Sequence, residues 1–187
     1  MTEKPEHIAL IGSLIISLEA RGCWCGETHI QKTGYFLQEM GGVAMQYDYI
    51  LYKHGPFSFE LRDDLTAMRA YGLLQLKIQQ YPYGPSFYIT EQGKRLIKRF
   101  SSIEEKHQGA IDFISSHLAD KGVAVLERLG TALYVTRETE ARTPEERVKK
   151  MVELKPHIKQ EKAWDAVSEL DRMIRECEES GCSGVSL

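Results

Sequence analysis

Apolar residues recur at helical spacing through most of the chain. In the first such segment Ile8, Ile11, Ile15 and Leu18 return every three or four residues, which is typical of a helix with one buried face. The same spacing predicts helices over residues 28–40, 58–71, 90–100, 103–118, 123–129, 143–154 and 157–177. Helices should therefore make up most of the fold.

Polar residues with capping ability mark where several of these helices begin. Thr28 and Gln31 have the spacing of a capping box, and Ser58 and Thr90 precede the next two helical segments. Pro144 follows Thr143 and is itself followed by two glutamates, which is a strong helix-start signal.

Between the helices, aromatic and β-branched residues predict strands. Residues 46–53 read as one strand that His54, Gly55 and Pro56 break, since proline cannot donate to a ladder. Leu73–Ile78 and Phe87–Thr90 are joined by a segment rich in glycine and proline, which predicts a β-hairpin.

This order of elements predicts a mainly helical α+β fold. We expect a winged-helix-like region over 1–100, packed on a helical bundle over 101–177, with a flexible tail at 178–187. A full helix-turn-helix needs two helices between the first strand and the hairpin, whereas Gly55–Ser58 leaves room for one.

Charge gives the chain no general attraction to nucleic acid. The 187 residues carry a formal charge of −3, and residues 1–100 hold 11 Lys/Arg against 10 Asp/Glu. The apolar segment Ile8–Leu18 is too short to span a membrane and lacks a positive lead, so it does not indicate a signal peptide. We expect a cytoplasmic protein without membrane partners.

Cysteines and histidines, which could bind a metal or take part in catalysis, are scattered along the sequence. Cys23, Cys25, Cys177 and Cys182 are interpreted as four independent reduced thiols, although two pairs meeting at one zinc ion is an alternative. The six histidines show no ligand spacing, and His117 with Asp120 is interpreted as a helix-end pair. Phosphate-binding and nucleophile motifs do not occur. We therefore predict no metal, no cofactor and no enzymatic activity.

Three stretches resemble a known family. Residues 30–39 (IQKTGYFLQE), 52–58 (YKHGPFS) and 61–65 (LRDDL), with the later LGT at 129–131 and LKP at 154–156, are similar to the YwgA-like family. The same series resembles the C-terminal module of DarG antitoxins and, more distantly, Panacea antitoxins. The chain lacks the macrodomain of DarG proteins, so the resemblance implies a protein-binding module, with a toxin as one partner type.

Two sets of site residues follow as expectations. A protein partner is expected at the turn and the hairpin loop, through Lys53, His54, Gly55, Pro56, Ser58, Arg62, Tyr81 and Tyr83. The alternative is a winged-helix transcriptional regulator whose phosphate contacts are Lys94, Arg95, Lys98 and Arg99. Dimerisation stays open, and the helix that carries Trp164 is the face available for it.

Overall fold

Helices and two short hairpins form the part of the chain that the computed structural model describes, residues 5–78 and 84–182. The helices are α1 (Pro5–Ala20), α2 (Glu27–Glu39), α3 (Phe59–Ala70), α4 (Glu91–Arg99), α5 (Ser101–Leu118), α6 (Val123–Glu138), α7 (Pro144–Leu154) and α8 (Gln160–Glu179). The strands are β1 (Ile50–Tyr52), β2 (Gly55–Phe57), β3 (Leu74–Lys77) and β4 (Ser86–Ile89). The expected mainly helical α+β class is confirmed.

Most of the predicted helix starts are confirmed by their caps. Ser58 Oγ accepts the Leu61 amide at 3.2 Å, and Thr90 Oγ1 accepts the Gly93 amide at 3.1 Å. Thr143 makes the complete capping box ahead of α7. These caps satisfy amides that have no partner inside the helix.

The start of α2 was predicted incorrectly. The helix begins at Glu27 after Gly26, and no side chain caps it. Thr28 and Gln31 do not form a capping box, because the Gln31 amide bonds with the backbone of Ser58 instead. A tertiary contact has replaced the local one that the spacing indicated.

The strand predicted over 46–53 is shorter than expected and forms the first strand of a hairpin. Only Ile50–Tyr52 is extended in a ladder, and it pairs antiparallel with Gly55–Phe57. Gly55 and Pro56 therefore belong to the second strand rather than breaking the first. Gly55 has φ of +89°, a conformation that glycine adopts without strain, and this allows the tight turn at residues 53 and 54.

The second hairpin was predicted correctly. β3 and β4 pair antiparallel, with Leu74 opposite Ile89 and Lys77 opposite Ser86. Only α3 lies between the two hairpins, as the spacing of Gly55–Ser58 predicted. Tyr81 and Tyr83 lie outside the described residues.

Helix α6 is longer than its sequence pattern indicated. It continues through Gly130 and Thr131 to Glu138, whereas the pattern predicted an end near Leu129. A Cβ on Gly130 would lie 3.0 Å from Cδ of Pro56. Glycine here lets the first hairpin pack closely on the helix, so it is a packing residue rather than a helix stop.

One hydrophobic cluster runs through both predicted regions. Leu61, Leu65, Met68 and Ile97 are all buried in it, as expected, together with Leu170 and Ile174 of α8. Helix α1 packs on α4 and α5, and α2 packs on α5 and α6. The core therefore includes residues from both sides of position 100. The first hairpin packs against helix α6 of the second half.

Long-range polar contacts join the helices of the second half. Arg147 forms two bonds of 2.6 Å with the carboxylate of Asp171, linking α7 to α8. His117 was expected to pair with Asp120, but its Nε2 lies 2.9 Å from Glu176 of α8. Among the described residues, no helix combines the length and apolar character needed to cross a membrane.

Candidate functional site

Three aromatic side chains form a cluster where the first hairpin meets the start of α3. The rings of Tyr52 and Phe57 lie 5.6 Å apart, and Phe59 lies 5.9 Å from Tyr52 and 5.2 Å from Phe57. The guanidinium carbon of Arg62 stands 5.0 Å from the centre of the Phe59 ring, a cation–π arrangement. We call Tyr52, Phe57, Phe59 and Arg62 the aromatic patch.

The aromatic patch is open to solvent to an unusual degree. Tyr52 is 52% exposed, Phe59 is 43% exposed, and the neighbouring Ile50 is 45% exposed. Single exposed apolar residues are common on protein surfaces, but several in mutual contact mark an interaction surface more often. Strand β1 supplies Tyr52, β2 supplies Phe57, and the first turn of α3 supplies Phe59 and Arg62.

The turn at the end of the hairpin adds positive charge beside the aromatic patch. Lys53 and His54 are exposed there, and Arg62 of α3 is exposed as well. Gly55, Pro56 and Ser58 are buried, so in this structure they shape the hairpin and do not present side chains to solvent. The predicted partner-binding set thus divides into three exposed residues and three buried ones, with Tyr81 and Tyr83 beyond the described residues.

Two buried lysines hold the hairpin from below. Lys32 of α2 donates its ammonium to the carbonyl of Pro56 at 2.7 Å. Lys155, at the end of α7, donates to the carbonyls of Tyr52 and Lys53, the latter at 2.8 Å. These bonds fix the backbone of both strands and of the turn, since charged donors make stronger hydrogen bonds than neutral ones.

The charge of these lysines is balanced by Glu127 of α6. Its carboxylate lies 3.6 Å from the ammonium of Lys155 and 3.1 Å from Nε2 of His157. Burial lowers the pKa of Lys32 to about 8, while the nearby Glu127 carboxylate opposes that shift. The Glu127 carboxylate thus lies close enough to both buried lysines to offset part of their charge.

Gln31 supplies a further clamp at the end of the hairpin. Its side-chain amide donates to the carbonyl of Ser58 and accepts the Ser58 amide, both at 2.9 Å. Gln31 and Ser58 are both fully buried. The pair mimics a strand-to-strand contact and fixes the angle at which α3 leaves the hairpin, and so the position of Phe59 and Arg62.

Acidic side chains on α3 are partly occupied within the fold. Asp64 accepts the hydroxyl of Tyr47 at 2.8 Å, and Glu60 accepts the amide of Asp48 at 3.0 Å. Asp63 pairs with Arg62 at 3.0 Å on the exposed side. The surface next to the aromatic patch is therefore mixed in charge.

The four basic residues of the DNA-binding alternative lie together on α4. Lys94, Arg95, Lys98 and Arg99 are all exposed, opposite the buried Gly93 and Ile97. The ammonium of Lys94 is paired with Glu91 at 2.8 Å. The helix thus presents one basic face of two turns.

A separate cavity of about 680 Å³ lies between α2, the second hairpin and the loop that leads into α6. Trp24, Leu76 and Phe87 are among its apolar lining residues, and Arg69 and Lys121 are basic residues that also line it. Lys121 is paired with Glu169 at 2.9 Å. None of the described residues predicted for the partner or the DNA site lines this cavity.

The cysteines do not gather into a metal centre in the described part of the chain, where no group of three or more Cys, His, Asp or Glu side chains is placed to hold an ion. A hydrogen bond from the Cys25 thiol lowers the pKa of Cys23 to about 5, and the nearby His29 acts in the same direction. The same bond, with burial, raises the pKa of Cys25.

Sequence reasoning named Lys53, His54 and Arg62, which are exposed, but it did not name the aromatic residues Tyr52, Phe57 and Phe59 or the residues that support the hairpin. Lys32, Glu127 and Lys155 come from three separated segments, and nothing in their local spacing indicates that they meet. Phe59 directly follows the Ser58 cap, which placed it at a helix start but did not show that it faces solvent.

No protein-family model matches this chain, and a search of curated proteins gave no match either.

Proposed function

We propose that this chain is a non-enzymatic regulatory or antitoxin-like module that binds a protein partner through the aromatic patch and the turn residues Lys53 and His54. One observation carries the proposal: two exposed aromatic rings, Tyr52 and Phe59, contact the half-buried Phe57, Arg62 lies over the Phe59 ring, and buried lysines anchor the hairpin that carries Tyr52 and Phe57.

The chemistry of the patch supports this choice of partner class. Tyrosine, phenylalanine and arginine are enriched in the centres of protein interfaces, where they contribute most of the binding energy. The lysine and glutamine bonds beneath the hairpin hold its backbone in place before binding. A rigid surface loses less conformational entropy on association than a mobile one.

The resemblance to the YwgA-like family and to antitoxin modules supports the same class of function. It also suggests a partner to test first, the product of the adjacent gene, which in a toxin–antitoxin pair would be the toxin. The experiment is co-expression of the two gene products and affinity capture of the tagged chain, followed by measurement of the dissociation constant.

The matched control lies in the chain itself. Tyr52 and Tyr71 are both 52% exposed, but only Tyr52 belongs to the aromatic patch. Loss of the complex in Tyr52→Ala and its retention in Tyr71→Ala would support the proposal. Equal loss in both, or no complex with wild type, would count against it.

DNA binding in the manner of a winged helix is a second candidate, favoured by the exposed basic face of α4. Phosphate contacts by such a face would give affinity without sequence preference. The acidic residues Glu60 and Asp63 on the exposed side of α3 oppose it, because that helix would have to approach phosphates.

A further inference from the structure

Helix α8 ends in a Schellman motif whose two contacting side chains are cysteines. The amide of Cys182 donates to the carbonyl of Cys177 at 3.1 Å, and the amide of Gly181 donates to Glu178 at 3.1 Å. Gly181 has the positive φ, +72°, that this motif requires. The motif brings together the side chains three positions before and two after the helix cap, which here are Cys177 and Cys182.

The two sulfur atoms are 2.9 Å apart. A disulfide bond is about 2 Å long, so the sulfurs need to approach by only about 1 Å to form one. Backbone hydrogen bonds already hold both residues in place, which removes most of the ordering that bond formation otherwise needs. The two free thiols are thus held close to the spacing that a disulfide bond needs.

We propose that Cys177 and Cys182 are a reversible redox site that closes to an intrachain disulfide, with Cys182 as the entering thiol. Cys182 is partly exposed, whereas Cys177 is 1% exposed and packs against the carbonyl of Met40. A dissolved oxidant can therefore reach Cys182 first. The four thiols are not equivalent, although the sequence had suggested four independent ones.

A small disulfide such as oxidised glutathione can supply the oxidising equivalents. The Cys182 thiolate attacks one glutathione sulfur, the glutathione disulfide breaks, and the first glutathione leaves as a thiolate. The Cys177 thiol then loses its proton and attacks the sulfur of Cys182, which releases the second glutathione. Two protein thiols are oxidised to one disulfide, and one glutathione disulfide is reduced to two thiols.

The pair Cys23 and Cys25 can be compared with Cys177 and Cys182 in the same protein. Cys23 and Cys25 are two residues apart, and the Cys25 thiol also points to the carbonyl of Ile15 at 3.9 Å. Trypsin separates the pairs, because cleavage after Arg21 and Lys32 isolates Cys23 with Cys25, and cleavage after Arg175 isolates Cys177 with Cys182. Each pair can therefore be followed on its own peptide.

The test is equilibration of the full chain with mixtures of reduced and oxidised glutathione, acid quenching, maleimide labelling under denaturing conditions and peptide mass analysis. As the mixture becomes more oxidising, the peptide that begins at Glu176 should lose both maleimide sites together and two hydrogen atoms in mass. Reduction after the quench should restore both sites. The variant Cys23→Ser/Cys25→Ser should give the same result.

Two outcomes would overturn the proposal. One is a peptide that keeps both maleimide sites across the whole range, and the other is a glutathione adduct that accumulates without closing to the disulfide. The order of attack has its own check. In Cys182→Ser, Cys177 should stay unmodified, and a glutathione adduct on Cys177 as fast as on wild-type Cys182 would refute the entering role of Cys182.

Discussion

The ammonium of Lys32 lies 2.7 Å from the carbonyl oxygen of Pro56, and both residues are buried. This bond joins the middle of α2 to the second strand of the first hairpin, whose outer side carries the aromatic patch. A charged group inside the protein thus serves to position a surface. The burial of this charged group destabilises the protein, and the size of the effect can be measured from how the free energy of unfolding changes with pH.

Lys32 predicts a pH dependence of stability. Burial lowers its pKa to about 8 in the folded protein, from an ordinary value of 10.5. Between these values the unfolded chain binds more protons, so the free energy of unfolding contributed by this group rises with pH. The gain is on the order of 1–3 kcal/mol across the window.

The measurement is denaturant unfolding of wild type and Lys32→Met at several pH values from about 8 to about 10. Tyrosines and cysteines that titrate in this range change the free energy of unfolding of both proteins alike. Their contribution therefore cancels in the difference between wild type and Lys32→Met. That difference should move in favour of wild type as the pH rises. Parallel curves would mean that Lys32 is not desolvated in the folded state.

We expect the close packing at Gly130 to make an alanine substitution there destabilising, and the same substitution at Gly109 serves as the control. A Cβ at Gly130 would lie 3.0 Å from the Pro56 ring, whereas a Cβ at the exposed Gly109 of α5 would meet nothing within 4 Å. Gly109→Ala should stabilise the protein by about 0.5–1 kcal/mol through helix propensity. Gly130→Ala should destabilise it by about 1 kcal/mol or more, because the ring must move.

Thermal unfolding of both variants checks this pair. The same substitution in two helices should shift the melting temperature in opposite directions. If Gly130→Ala stabilised the protein as Gly109→Ala does, the close approach of Pro56 to α6 would be wrong.

Sequence spacing predicted the elements that depend on local chemistry. The caps at Ser58, Thr90 and Thr143 follow from side chains that bond within their own turn. The start of α2 and the end of α6 were misplaced, since Gln31 bonds across 27 residues and Gly130 packs on Pro56. Local spacing carries no information on contacts of that kind.

The candidate site shows the same difference between residues that local sequence identifies and residues that only long-range packing brings together. Lys53, His54 and Arg62 were named from the sequence because turns and helix starts are exposed. Their supports, Lys32, Glu127 and Lys155, meet only because α2, α6 and the end of α7 pack together. Lysine is rarely buried, so its residue type alone indicated a surface position.

Leu65 tests the shared core. It is 2% exposed in the cluster that joins both halves of the chain. Leu65→Ala should lower the free energy of unfolding by roughly 2–5 kcal/mol, since it removes buried methyl groups and leaves a cavity. Chemical denaturation would measure the loss, and a value well below ~1 kcal/mol would place Leu65 outside the core.

Tyr52 is expected to be an anchor of partner binding. Tyr52→Ala should weaken the complex by about 2 kcal/mol, or roughly 30-fold in dissociation constant, because it removes a central aromatic ring. Tyr71→Ala should change the affinity by less than about 0.5 kcal/mol. Calorimetric titration of the purified partner would give both values, and circular dichroism would confirm that each variant is folded.

Arg62 allows the same comparison for charge. Its guanidinium stacks on Phe59, while Arg69 lies on the same helix away from the aromatic patch. Arg62→Gln should weaken the partner complex more than Arg69→Gln does, since the cation–π contact orders the ring that the partner would cover. Equal effects would indicate that net charge alone governs binding.

The basic face of α4 separates the two functional candidates. If the chain binds a protein through the aromatic patch, replacing Lys94, Arg95, Lys98 and Arg99 by glutamine should leave the partner complex intact. Duplex DNA should bind wild type weakly and without sequence preference, and moderate salt should abolish the binding, because phosphate contacts release counterions.

Fluorescence anisotropy with a labelled duplex, at several salt concentrations, tests both expectations together. The logarithm of the binding constant falls with the logarithm of salt concentration at a slope of about −0.9 for each phosphate neutralised. Four cations can therefore give a slope no steeper than roughly −4, and the pairing of Lys94 with Glu91 should reduce it further. Nanomolar, sequence-specific binding at physiological salt, lost in the glutamine variant, would instead make α4 the functional surface and the aromatic patch a feature of the fold.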